Sequence, residues 1–189
     1  MARTLGLFVL IVLVINMCAC GASSENMHDK IHSKFYDMPS YTAKCRMTVI
    51  SNKTANEYNF TCTYDRGGNK FCIDYPDSSV VLTDTDARIT RGDSIINVPS
   101  EDRDMLMFVN TFFKSYYVGE NASIDVSSPS DSGYTVLETE LINPTKYGNY
   151  MKLWIRNKGV VPTNMKVFDK EGKETLSVSF ESFEVIKSN

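Results

Sequence analysis

The chain has 189 residues, 20 Lys and Arg against 23 Asp and Glu, and a formal net charge of −3. The charges are mixed along its length with no basic stripe, which excludes nucleic acid as an expected partner. A hydrophobic fraction of 42% over this length suits one domain with a real core.

Residues 1–19 read as a secretory signal peptide. Arg3 supplies the positive charge, Leu5 to Ile15 is uncharged and apolar, and Ala19 is the small residue before a cut. As a helix this apolar run rises only about 16 Å, short of a hydrocarbon core of about 30 Å, so a membrane-spanning helix is the weaker alternative. The junction Ala19-Cys20 has the form of a lipoprotein signal, in which a small residue directly precedes a cysteine that receives diacylglycerol. Met17 before Cys18 does not fit, and Met17 also stands where such signals usually carry Leu. Cys20 is therefore the expected lipidated residue, holding the chain to a membrane surface outside the cytoplasm. The competing expectation is an ordinary secreted protein cut nearby. Residues 20–26 form the lipidated cysteine and a short tether, because Ala22 to Asn26 is small and polar. Residues 27–189 form the folded domain.

Asn26–Met38 is expected to be a helix, with Met27, Ile31, Phe35 and Met38 on one apolar stripe. His28 and His32 lie one helical turn apart and could share a metal ion. No third local ligand completes a site, and zinc normally takes three or four, so two partly solvated histidines are expected, with no metal and no cofactor.

After Pro39 the pattern alternates. Tyr41, Ala43, Cys45, Met47 and Val49 share one face, as do Tyr58, Phe60, Cys62 and Tyr64, then Phe71, Ile73 and Tyr75. Period-two alternation with one apolar face predicts antiparallel strands over a core. A turn centred between Lys53 and Thr54 sets Val49 opposite Tyr58, Met47 opposite Phe60 and Cys45 opposite Cys62. Directly opposed Cβ atoms lie about 4.5–5.5 Å apart while a disulfide wants about 3.5–4.5 Å. A Cys45–Cys62 bond thus needs some strain, and two buried free thiols fit as well. Cys72 falls on the polar face of its strand.

Further strands are predicted at Val80–Thr83, Ala87–Thr90, Ser94–Val98, Ile124–Ser127, Tyr134–Leu141, Tyr150–Arg156, Thr163–Phe168 and Thr175–Phe183. Asp169-Lys170-Glu171-Gly172 joins the last two as a hairpin. Arg91-Gly92-Asp93 spells an adhesion tripeptide, but between two short strands it reads as a turn. One central helix interrupts the sheet. Ser100 caps it, Glu101, Asp102 and Asp104 suit its positive end, and Gly119 ends it. Met105, Phe108, Val109, Phe112 and Tyr116 form its apolar face. The sum is an α+β fold: a large curved antiparallel β-sheet with an N-terminal helix and one central helix.

Catalytic constellations are missing. No histidine follows position 32, and there is no HExxH, no phosphate-cradling glycine loop and no serine elbow. The pairs Asp84 with Asp86 and Glu138 with Glu140 alternate onto one strand face, where solvated surface is the ordinary role. The chain does not read as an enzyme.

The C-terminal half carries a resemblance. Val136-Leu137-Glu138-Thr139, Trp154-Ile155, Val161-Pro162-Thr163, Phe168 to Gly172 and Val178-Ser179-Phe180 follow the order of the LolA/LolB-like lipoprotein-sorting fold. There a strand ending near proline leads to an Asp-x-x-Gly hairpin and a final strand. The lipid anchor, size and Tyr/Asn/Lys-rich composition most resemble the GerS-like spore germination lipoproteins of clostridia. The resemblance implies a LolA-like half-barrel over residues 27–189 and a non-enzymatic role. It also implies a partner, the cortex-modifying N-acetylmuramoyl-L-alanine amidase CwlD, which the lipoprotein binds and activates. The alternative it leaves open is a lipoprotein or lipid carrier using the apolar concave face. A surface or adhesion lipoprotein is a third, and a free sheet edge would allow a homodimer. Apolar strand faces look alike as core, pocket or interface, so no partner-binding residues are singled out.

Overall fold

Alternating apolar residues from Tyr41 onward build one antiparallel sheet. The computed structural model describes residues 22–51, 54–83, 86–99, 108–119, 121–124 and 133–186. The strands are β1 (Tyr41–Ile50), β2 (Ala55–Asp65), β3 (Lys70–Asp74), β4 (Ser79–Leu82), β5 (Asp86–Arg91), β6 (Ser94–Pro99), β7 (Ser123–Ile124), β8 (Tyr134–Thr145), β9 (Gly148–Arg156), β10 (Val161–Phe168) and β11 (Glu174–Val185). Among the described residues two helices, α1 (Ala22–Phe35) and α2 (Val109–Val118), complete the α+β fold expected from the sequence. The chain meanders outward from β1 to β6 and passes through α2 to the opposite edge. It then returns from β7 to β11, which closes against β1. Register shifts occur at Lys44/Cys45, Pro162/Asn164 and Val167/Phe168, where an extra residue bends a strand and strengthens its twist.

One face of this sheet is the core. Tyr41, Ala43 and Cys45 of β1, Phe60 and Cys62 of β2, and Met151, Leu153 and Ile155 of β9 are all buried on it. From α1 it receives Ile31 and Phe35, 1% and 0% exposed, so the predicted stripe holds. The helix runs Ala22–Phe35 rather than Asn26–Met38. It takes in the segment expected as tether, and it stops short because Met38 precedes Pro39, which disfavours a helical conformation there. The last helical bond is Tyr36 N–H to the His32 carbonyl, 2.8 Å. Lys34 then ties α1 to the β9–β10 turn, its ammonium donating to the carbonyls of Gly159 and Val160, both at 2.9 Å. Val160 is held there at φ +51, a strained conformation for a β-branched residue.

Helix α2 buries Phe108, Val109, Phe112 and Tyr116 as expected. Ser100, Glu101, Asp102, Asp104 and Met105 lie outside the described residues, as do Cys20 and the signal segment. Gly119 ends the helix, but with φ −71 rather than in the left-handed region. Its need for glycine is steric: a Cβ there would sit 2.6 Å from the Ser115 carbonyl oxygen. Gly172, at φ +79, does use glycine's freedom, in the hairpin where Asp169 Oδ1 accepts Glu171 N–H at 3.0 Å and Lys173 N–H at 2.8 Å. Gly92 at φ +54 likewise makes Arg91-Gly92-Asp93 a β5–β6 turn. Of the strand predicted at Ile124–Ser127, Ser123–Ile124 is observed as β7 and residues 125–127 fall outside the description.

The β1–β2 register differs from expectation. Ile50 pairs with Ala55, so Cys45 faces Phe60 and Cys62 faces Ala43. The turn sits one residue earlier than predicted because Ser51 and Thr54 close it. Ser51 N–H donates to the Thr54 carbonyl at 2.8 Å, and their hydroxyls meet at 2.8 Å. The opposed pairs therefore shift by two residues, which leaves every side chain on its predicted face. Both thiols stay buried, now as a diagonal pair with sulfurs 3.9 Å apart. Their mutual hydrogen bond, together with burial, holds the Cys45 thiol well above its ordinary range. Cys72 lies on the other face of β3, half-buried. Thiol counting under denaturing conditions followed by peptide mapping tests this register. Any disulfide should join Cys45 to Cys62 and leave Cys72 free, whereas a bond to Cys72 would contradict the strand pairing.

Candidate binding groove

Helix α2 has two working faces. Val109, Phe112 and Tyr116 point into the core, while Asn110, Lys114 and Tyr117 turn toward a groove of about 750 Å³. This volume lies within the range of small-molecule sites. The facing wall comes from Tyr64 of β2, Asn69 of the β2–β3 turn, Phe71 of β3, Leu82 of β4 and Thr83 just after it, and β8 contributes Leu141 and Asn143. The end of α1 closes it with Phe35, Tyr36 and Met38.

Aromatic stacking fixes the wall between the helices. Phe113 stacks on Phe35 at 4.6 Å and on Tyr117 at 5.7 Å, and Tyr36 meets Tyr117 edge-on at 5.3 Å. Such arrangements contribute beyond area burial alone. The rim is apolar and open, with Tyr36 64%, Val118 69% and Ile142 46% exposed. Among the described lining residues the only charge is the exposed Lys114. Asn110 Oδ1 and Tyr117 OH are buried with no hydrogen-bond partner among the described residues. Each such orphan costs about 1–3 kcal/mol. Burial, reinforced by Tyr116 nearby, pushes the Tyr117 phenol up to about 12, so it is neutral at ordinary pH.

The residues that the sequence singled out do not converge here. His28 and His32 both sit on α1: His28 Nε2 is 3.5 Å from the Tyr116 hydroxyl, and His32 stacks on Tyr36 at 4.5 Å. Among the described residues no three His, Cys, Asp or Glu side chains are grouped to hold a metal ion. Glu138 pairs with Lys152 at 2.8 Å and Glu140 accepts from Asn121 at 2.9 Å, so both carboxylates of that pair serve cross-strand and loop contacts. Asp84 lies outside the described residues. Arg91 of the adhesion-like tripeptide pairs with Asp77 at 3.3 Å. Cys45 and Cys62 lie under the sheet's core and not in the groove. Asn110 and Tyr117 escaped the sequence reading because polar residues opposite an apolar helical stripe look like an ordinary solvated face. Among the described residues no helix is long and apolar enough to cross a membrane.

Comparison with known proteins adds a family. A family model described as Sporulation protein YdcC-like matches residues 2–188. Among solved structures, the chain is similar to one in the structure of the CwlD amidase from Clostridioides difficile in complex with the GerS lipoprotein. That match has 23% identity and a TM-score of 0.51, and covers 86% of this chain and 95% of that one. An uncharacterized conserved protein from Thermus thermophilus is similar at 10% identity and a TM-score of 0.50, over 88% of this chain and 90% of that one. A LolA superfamily protein from Nitrosomonas europaea follows at 10% identity and a TM-score of 0.45, over 87% of this chain and 94% of that one. No curated protein sequence matches the chain.

Proposed function

The chain belongs to the YdcC-like sporulation protein family, and from that premise we propose that it is a non-enzymatic lipoprotein which binds and activates a CwlD-like N-acetylmuramoyl-L-alanine amidase during spore cortex modification. The observation that carries this proposal is the shared fold, over 86% of the chain, with a structure of the CwlD amidase and the GerS lipoprotein. The chemistry of the chain agrees with a supporting role. Its two histidines are engaged with tyrosines of the helix pair, and its best-placed carboxylates with lysine and asparagine partners. Signal cleavage before Cys20 and lipid on that cysteine would hold residues 27–189 at the outer face of a membrane beside the cortex. The edge strand β6, with Ile95 and Ile96 exposed, is where a second copy would add strands to make a homodimer.

A carrier of lipid or lipoprotein is the second reading, and the 750 Å³ groove favours it. The sheet's apolar face itself is occupied by Phe35, Phe108, Phe112 and Phe113 of the chain's own helices, all at most 2% exposed. An acyl chain would have to displace them or stay in the outer groove.

Two measurements follow. Mixed with a cognate CwlD-like amidase, the protein should co-purify with it and raise its cleavage of peptidoglycan, while cleaving none alone. Cleavage by this chain without a partner, or an amidase indifferent to it, would refute the proposal. Metabolic labelling with a palmitate analogue should mark the wild type and not Cys20→Ala; a label that survives the substitution would rule out the anchor.

A further inference from the structure

The groove beside α2 is bordered by large apolar side chains that stand in water. Val118 is 69% exposed at the end of α2, Tyr36 64% just beyond α1, and Ile142 46% on β8, and all three border the same cleft. Three elements distant in sequence thus bring exposed apolar residues to one opening. Scattered singly such residues are ordinary, but gathered round a cleft they mark a surface that is covered in use. Charge is as sparse there as at the centre of a protein interface. The described lining holds Lys114 and no carboxylate. Lys114 is exposed and has no ion-pair partner among the described residues, in a chain whose formal net charge is −3.

We infer that the rim of this groove is the surface on which the amidase docks, through an apolar side chain flanked by a carboxylate. That the partner is the amidase rests on the function proposed above. The surface and the chemistry it asks for rest on the groove. A ligand small enough to lie inside the cleft would leave Tyr36, Val118 and Ile142 in water. Only a broad surface reaching over the rim covers all three. One lysine is too little charge for an anionic membrane, which is met by clusters of basic residues, so that surface is a protein. The wall beneath is set by Phe113 on Phe35 and by Tyr36 edge-on to Tyr117 at 5.3 Å, so a partner meets a preformed seat and orders few side chains on binding. The apolar anchor enters the cleft and supplies most of the affinity, as buried anchors do. Lys114 meets the carboxylate at the edge, where a charge pair guides approach and register more than it adds affinity.

Isothermal titration calorimetry of the protein with a cognate CwlD-like amidase tests it. The double variant Val118→Gln, Ile142→Thr should weaken the complex at least about tenfold, the loss of anchor contacts at the centre of an interface. Both positions are exposed and the new residues suit a helix and a strand, so the thermal midpoint should stay level. A matching variant of the edge strand β6, Ile95→Thr with Ile96→Thr, should leave the affinity unchanged. Wild-type affinity should fall as salt is raised, and Lys114→Gln should bind more weakly at low salt and respond less to salt. A groove variant that binds like the wild type, or a loss seen with the β6 variant instead, would overturn the inference and leave the amidase role standing. So would palmitate that binds the wild type and not the groove variant, or a dimer of the free protein that the groove variant dissociates, since either gives the rim another occupant. A wild type that binds no amidase would remove the proposed function and this surface together.

Discussion

Phe108 stacks on Phe71 at 4.5 Å and Phe113 on Phe35 at 4.6 Å, and through these contacts α2 is seated on the apolar face of the sheet. An open sheet of this width has one face rich in Phe, Tyr, Met and Leu that must be kept from water. The chain reaches both edges, β6 on one side and β7 on the other, and the connection between them is where a cover can be carried. A helix of ten residues with Phe112, Phe113, Tyr116 and Tyr117 along one broad face fills that role. Helix α1 docks beside it, with Lys34 gripping the β9–β10 turn, and the seam β1–β11 joins the two meanders beneath.

The cover also decides where a ligand can go. The phenylalanines occupy the sheet face, so the open volume is displaced to the other flank of α2, against β2 to β4 and the end of α1. There the wall is mixed, with the amides of Asn69 and Asn143 beside Phe71 and Phe113. The same arrangement leaves the outer face of the sheet polar, stitched by partly exposed pairs such as Arg46 with Glu181 at 2.9 Å and Lys166 with Glu174 at 2.7 Å. Exposed pairs of this kind contribute little stability, so the fold rests on its aromatic interior.

Much of this was legible in the sequence, because strand alternation and helix stripes are local signals. Tyr41 to Val49, Phe60 to Tyr64 and the α2 stripe were each recognisable from spacing alone, and the Asp169–Gly172 hairpin from turn chemistry. Register was less so. The β1–β2 turn depends on two side-chain hydrogen bonds of Ser51 and Thr54, and a shift of two residues keeps every face while moving every partner. Tyr58, on the apolar alternation, proved 44% exposed because the outer half of β2 extends past the helical cover. The groove was not legible at all. Its residues come from α1, α2, β2, β3, β4 and β8, and only the tertiary arrangement brings Asn69, Asn110 and Asn143 to one cleft.

The central claim is that α2 is part of the core and not a movable lid over an open cavity. Equilibrium denaturation of Phe112→Ala tests it most directly, since Phe112 is 0% exposed and points into the sheet. The account predicts a single cooperative transition with stability lowered by about 3–5 kcal/mol, the cost of truncating a buried phenylalanine. A loss below about 1 kcal/mol, as for a surface substitution, would contradict it.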